Sequence, residues 1–335
     1  LEDEAFLNSL VQVLAATEEY KKEVIESNVT VLARAIIKTL LYFDIFNYPL
    51  TVDEIHEYCC EYPASKDEIR RQLEVFEEMG YVSRKDFFYQ IKNDKIAASV
   101  ERRIKGNKEA QRFLKISKRF SKFITYFPFV RGVCLSGSLS KGYADSDSDI
   151  DYFIITEPGR LWIARTSLIL FKKIFLLNSH KYFCVNYFID TNSLEIPDKN
   201  LFAATELLSI IPAANAGLYE RLIEANSWIK EYYPNGTLKT DKYPVAPANN
   251  SFVKKVNEKF FSARFGDKMD DLCFRATLSA WKRKFNHFNK DEFDLNLRTR
   301  KNVSKHHPNG FQLKVMKNFE EKVTKFEKDF NISLA

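Results

Sequence analysis

Along the first third of the chain, apolar residues recur every three or four positions, the spacing of one helix face. Phe6, Leu10, Val13 and Leu14 predict a helix over Glu2 to Glu26, and Leu32, Ile36, Leu40 and Phe43 predict another from Val29 to Phe43. Pro49 stops that helix. Thr51, with Glu54 three residues on, is a capping box for a short third helix, Val52 to Cys60. Ser65 and Glu68 repeat the box before a helix that points Ile69, Leu73, Val75, Phe76 and Met79 inward and ends at Gly80. Tyr81–Ser83 and Phe87–Ile91 then predict two short strands around Arg84, Lys85 and Asp86.

Three helices followed by a hairpin is winged-helix order, with Lys66 to Met79 in the recognition position and Arg70 and Arg71 facing out. One reading of this module is a DNA contact. The same helix carries Asp67, Glu68, Glu74, Glu77 and Glu78, which repel phosphate, so a packing or dimerisation module is the other reading. From Asp94 to Phe127 a basic helix follows, with Arg102, Arg103, Lys105, Lys108, Arg112, Lys115, Lys118, Arg119 and Lys122. It is either a solvated connecting helix or a phosphate-attracting flank.

Strand periodicity takes over at Val130 to Ser136, which ends in Gly137-Ser138. A second strand is predicted over Asp149 to Ile155, a helix over Gly159 to Leu177, and a third strand over Tyr182 to Asp190. On a strand, residues i and i+2 share a face, so Asp149 and Asp151 are expected side by side. Two adjacent carboxylates need a cation, and a hard divalent ion with oxygen ligands suits them, with Mg²⁺ first and Mn²⁺ as a substitute. Gly137 has no side chain to bar a phosphate from the backbone, and Ser138 offers a hydroxyl and an N–H to it. Lys141 lies one turn on. Asp145 and Asp147 read as loop residues, while Asp151 interrupts an otherwise apolar strand.

Gly-Ser, ten intervening residues and Asp-hydrophobic-Asp resembles the signature of the nucleotidyltransferase superfamily that includes DNA polymerase beta. Here it reads Gly137-Ser138 and Asp149-Ile150-Asp151, with Gly142 mid-loop and Ser148 before the first Asp. The resemblance covers Val130 to Asp190. The whole chain is also similar to a group of bacterial predicted nucleotidyltransferases that carry a segment like Leu41–Thr51. The resemblance implies an NTP substrate, Asp149 and Asp151 as metal ligands, and a third carboxylate on the following strand. The position after Val185, where the family favours Asp, holds Asn186. Asp190 shares its parity but lies about 13 Å further at ~3.3 Å per residue. Asn186 or Asp190 is therefore the candidate for that place, and an amide there cannot act as a base.

The remainder reads as helical. Asn200 to Tyr232 forms helices around Pro212, Pro234 to Ser251 a long polar loop, and Phe252 to Phe288 further helices with Asp267, Asp270 and Asp271 in a solvated turn. Arg298, Arg300, Lys301 and Lys305 lie in a basic stretch before the last helix, Gln312 to Phe330, and are candidate phosphate contacts. His306 and His307 are adjacent and cannot share a helix face as ligands.

Composition narrows the picture further. The 335 residues are 45% hydrophobic and 29% charged, which excludes collagen-like and largely disordered chains. No uncharged apolar run approaches a membrane span, since Leu161 to Leu177 carries Arg165, Lys172 and Lys173. The five Cys show no CxxC pair or Cys/His ladder, so neither a disulfide framework nor structural zinc is expected. Glu2, Asp3 and Glu4 replace the basic start of a leader, so the reduced cytoplasm is the expected compartment. A net charge of +6 permits a nucleic-acid or nucleotide partner without demanding one.

The expected architecture is α+β and helix-rich. A winged-helix-like module (1–93), a basic connecting helix (94–127), a nucleotidyltransferase core with a small mixed sheet (128–199) and a C-terminal helical region (200–335) follow in order. The expected activity is Mg²⁺-dependent transfer of an NMP from an NTP to a hydroxyl of unidentified class: RNA, protein, small molecule or nucleotide. The alternatives are a DNA-binding regulator that senses nucleotide, and a scaffold with an inactive site.

Overall fold

The computed structural model describes residues 30–240 and 243–334; the helix expected over Glu2 to Glu26 lies outside them. The chain forms two compact units. The first holds the described residues up to Ile96, Tyr233–Asn235 and the stretch from Lys317. Its helices α1 (Val31–Asp44), α2 (Val52–Glu57) and α3 (Lys66–Glu78) precede an antiparallel hairpin of β1 (Val82–Lys85) and β2 (Phe88–Ile91). Both expected capping boxes form, Thr51 with Glu54 and Ser65 with Glu68. Each satisfies two otherwise unpaired N–H groups at the helix start. Leu50 bridges to Tyr89 and so extends the hairpin. On α3, Ile69, Leu73 and Phe76 form the buried stripe, and Val75, expected inside, falls off it and is exposed. The cations of this region lean on acids: Arg70 on Asp67, Lys66 on Asp53 and Arg84 on Glu77.

The second unit, Ala97–Tyr232 and Gly236–Met316, is built on a sheet. The long helix α4 (Ile96–Ile124) leads into β3 (Val130–Ser136), the single turn α5 (Gly137–Ser140), β4 (Asp151–Thr156), α6 (Leu161–Phe175) and β5 (Cys184–Asp190). Then come α7 (Leu201–Ser209), β6 (Ile211–Ala214), α8 (Ala216–Ala225) and α9 (Ile229–Tyr232). The chain closes with α10 (Phe252–Phe260), α11 (Ala263–Lys284), α12 (Lys290–Asn296), β7 (Thr299–Arg300), β8 (Val303–Lys305) and α13 (Phe311–Phe330). The strand order is β6-β3-β4-β5-β8-β7, with β4 and β5 parallel and the other pairs antiparallel. A parallel pair needs a crossover, and α6 supplies it. The fold is thus α+β with a mixed sheet.

Two expectations change. Residues 200–335 are not purely helical, because β6, β7 and β8 all come from them. These strands are two to four residues long, too short to show an alternation. Pro212 sits in the edge strand β6, where a missing N–H is tolerated. The units also divide the chain differently from 1–93, 94–127, 128–199 and 200–335. Nearly all of α4 and the chain from 200 to 232 group with the sheet, and the stretch from Lys317 groups with the N-terminal unit.

One sheet face carries Tyr152 and Ile154 into a core with Phe113 of α4, Trp162 and Leu168 of α6, and Met269 and Phe274 of α11. Charged side chains pin this layer. Asp270 of α11 accepts from the Trp162 and Ile163 N–H groups at 2.8 and 3.0 Å, capping α6 from another helix. Asp267 pairs with Arg160 and Asp271 with Arg275, so the acidic turn of α11 is structural. Arg131 of β3 bonds Glu157 and Glu258, and Lys254 of α10 donates to the carbonyls of Thr125 and Val130.

Asp270→Ala leaves two buried N–H groups at the start of α6 unpaired. It should lower stability by about 1–3 kcal/mol per unmet group at most, whereas Asp270→Asn keeps an acceptor oxygen and should lose less. Urea unfolding of the two variants checks the order.

Candidate active site

A strand–turn–strand hairpin sets the site. Ser136 pairs with Asp151 across β3 and β4, so the turn that leaves β3 lies against the residue that starts β4. Gly137 has φ +69°, and a Cβ built on it would sit 2.4 Å from Asp151 Oδ2. Both the backbone and the neighbouring carboxylate therefore require glycine. The turn is stitched by Ser140 Oγ donating to Gly137 O at 2.8 Å and by the Lys141 ammonium at 3.3 Å from the same oxygen. Ser138 occupies the middle of α5.

The loop from Gly142 to Ile150 is held from two sides. Asn107 of α4 donates to Gly142 O, and Ala144 N–H donates to Gly106 O. Within the loop, Asp145 accepts from Ser148 Oγ and from the Asp147 N–H. The Ser148 hydroxyl is the main cause holding the Asp145 carboxyl below its ordinary value. Asp145 is thus a loop-folding acceptor.

Asp149 ends that loop, just before β4 begins at Asp151. The two aspartates are therefore not both on the strand, as expected, yet they face one another electrostatically. Burial and then the Asp149 charge push the Asp151 carboxyl well above the ordinary carboxylate range, with Glu206 adding to the push. Asn186 Nδ2 donates to Asp151 Oδ1 at 2.8 Å. The parallel register slips at this place: Tyr152 pairs with Val185 and Phe153 with Tyr187, so Asn186 is the extra residue of a bulge. Its Oδ1 is buried without a hydrogen-bond partner.

Asp190 is not brought to the aspartate pair. It lies opposite Thr156 at the far end of β4, about 16 Å along the strand at ~3.3 Å per residue. Its carboxylate accepts from the Asn192 N–H in the following turn. The bulge places Asn186 at Asp151, and no slip of register carries Asp190 there. The basic stretch is also engaged elsewhere. Arg298 forks onto Asp198 at 2.8 and 3.0 Å, and Arg300 pairs with Asp294 at 3.0 Å. Lys301 pairs with Asp271, and Lys305 reaches Asp198 and Gln312. These ion pairs gather at the β7–β8 edge.

Three neighbours of the pair escaped the sequence reading. Glu206 of α7 meets Lys141 at 2.7 Å; it is the single charged residue in Leu201–Ser209, which was the available signal. His180 and Cys184 stand beside Asp149, joined to it only by the crossover of a whole helix. His306 is packed on Trp281 with ring centroids 4.7 Å apart, and the Arg165 guanidinium lies over the same tryptophan ring, 4.8 Å from its centroid. Burial and then Arg165 lower His306 to about 3.

Residues 112–203 match the family model of the nucleotidyltransferase domain. No curated protein and no solved structure matches the chain. The matched segment begins inside α4, takes in β3, α5, β4, α6 and β5, and ends in α7. It contains the Gly-Ser turn, both aspartates, His180, Cys184 and Asn186, while Glu206 falls just outside it.

Gly137→Ala and Gly142→Ala impose the same left-handed backbone cost, about 1–2 kcal/mol. Only the first collides with Asp151, since Gly142 has its nearest neighbour, Asn107 Nδ2, at 3.8 Å. Thermal unfolding should show Gly137→Ala to be the more destabilised of the two. His306 stays neutral in the fold while an unfolded histidine protonates below about pH 6.5. Protons then bind the unfolded state preferentially, so stability falls as pH drops from 6.5 toward the folded value of about 3. His306→Gln should flatten that acid limb by up to about 1.4 kcal/mol per pH unit, read from urea unfolding at a series of pH values.

Proposed function

We propose that the chain, whose residues 112–203 match the nucleotidyltransferase domain model, moves an NMP from an NTP to an acceptor hydroxyl. The acceptor oxygen attacks the α-phosphorus, and the bond to pyrophosphate breaks. The observation that carries the reading is the close approach of the Gly137 turn to Asp151, which sets backbone without a side chain beside a carboxylate. Gly137 and Ser138 would receive the β and γ phosphates, with Lys141 beside them.

The family implies Mg²⁺, and the residues present fit it. Asp149 and Asp151 offer hard oxygen donors, and burial, Asp149 and Glu206 all raise the Asp151 carboxyl, a crowding that a divalent cation relieves. When bound, the ion would neutralise the triphosphate and activate the attacking oxygen. Asn186 orients the Asp151 carboxylate through its amide N–H and, as an amide, takes no proton. The proton of the acceptor hydroxyl must therefore pass to one of the two aspartates or to water. Glu206 holds Lys141 over the Gly137 carbonyl. A DNA contact by the N-terminal unit gains nothing from Arg70, Lys66 or Arg84, which lean on acidic neighbours.

Titration calorimetry with each NTP, with and without Mg²⁺, tests this without knowledge of the acceptor. The wild type should bind one or more NTPs only with Mg²⁺, and Asp149→Asn should weaken that binding by at least tenfold, about 1.4 kcal/mol. Absence of NTP binding by a folded sample overturns the reading.

A further inference from the structure

A second donor set adjoins the aspartate pair: it shares Asp149 with it and adds His180 and Cys184, which have no part in the nucleotide reading. Asp149, His180 and Cys184 bring a carboxylate oxygen, an imidazole nitrogen and a sulfur to within 4.8 Å of one another. The Cys184 sulfur lies 3.8 Å from His180 Nδ1. Tetrahedral zinc with its usual bond lengths, Zn–S ≈ 2.3 Å and Zn–N ≈ 2.0–2.1 Å, holds a sulfur and a nitrogen about 3.6 Å apart. The observed spacing is within a few tenths of an ångström of that value.

The backbone presets this arrangement. Ile150, next to Asp149, donates its N–H to Lys181 O at 3.0 Å and accepts from the Cys184 N–H at 3.0 Å. The residue between the two aspartates is thereby tied to the segment that carries both other donors. Cys184 is buried at the start of β5, whereas His180 is exposed and leaves the cluster open to solvent.

We propose that Asp149, His180 and Cys184 bind a thiophilic divalent cation of the zinc class, with a fourth position open to water or a ligand. Sulfur and imidazole select such an ion over Mg²⁺, which prefers an all-oxygen octahedron. The thiol proton leaves to solvent on binding. Lys172 Nζ, 3.3 Å from His180 Nδ1, is the cation that the ion displaces. Asp149 is shared with the proposed nucleotide site, so a zinc-class ion competes there with Mg²⁺ and NTP; this consequence, unlike the binding itself, rests on the nucleotide reading.

Cobalt titration in the absence of nucleotide tests the site. Co²⁺ should bind with a thiolate charge-transfer absorption and be displaced by Zn²⁺. Cys184→Ala should abolish the absorption, and Cys273→Ala should retain it. His180→Ala, an exposed position that keeps the test available when the cysteine variant does not fold, should weaken cobalt binding by more than about 100-fold, the upper end for losing a mere outer-shell partner. An absent charge-transfer band, or one that survives Cys184→Ala, overturns the proposal. Cobalt binding without Mg²⁺-dependent NTP binding removes the nucleotide reading and keeps this site, and the opposite pair of results does the reverse.

Discussion

The enclosed carboxylate of Asp151, set beside Asp149, is the constraint around which the sheet end is arranged. A half-buried anion next to a second anion is costly, and the chain surrounds it with groups that soften the cost. Asn186 donates an amide N–H to it. Gly137 keeps a Cβ away from its oxygen. Lys141, one turn beyond, brings a cation to the Gly137 carbonyl and is itself held by Glu206. The remaining imbalance shows as a carboxyl raised well above its usual range. Such tension is ordinary at sites that exist to receive a cation or a charged substrate.

The bulge in β5 lies at the same place. The register slips between Tyr152 and Phe153, opposite Asn186, and both Cys184 and Asn186 reach the Asp151 carboxyl. Bulges commonly re-aim one side chain beside a site. Downstream, the register resumes, and Asp190 ends in a turn with Asn192. Acidic partners likewise decide the fate of the cations near the sheet's other edge. Asp198 takes both Arg298 and Lys305, and Asp294 takes Arg300, so a stretch that is strongly basic in sequence is locally balanced in space.

The N-terminal unit shows how far local signals reach. Both capping boxes were legible because a cap involves residues three apart, and each forms. The hairpin followed for the same reason, from short apolar runs on either side of a polar turn. The inward stripe of α3 was legible at Ile69, Leu73 and Phe76 but not at Val75, since an apolar residue beside a stripe does not announce which side of the boundary it takes.

In the second unit, the sequence by itself determined the strand–turn–strand spacing of Gly137-Ser138 and Asp149-Ile150-Asp151, the helix that follows and the strand after it. These depend on period, on turn residues and on a short loop, all local properties. Only the tertiary structure decided that β6, β7 and β8 complete the sheet, that Asn186 rather than Asp190 meets Asp151, and that Glu206, His180 and Cys184 gather around the pair. Each of those outcomes turns on strand register or on contact between segments tens of residues apart. Register is set by how whole faces pack, and that information is spread over many residues rather than written at any one of them.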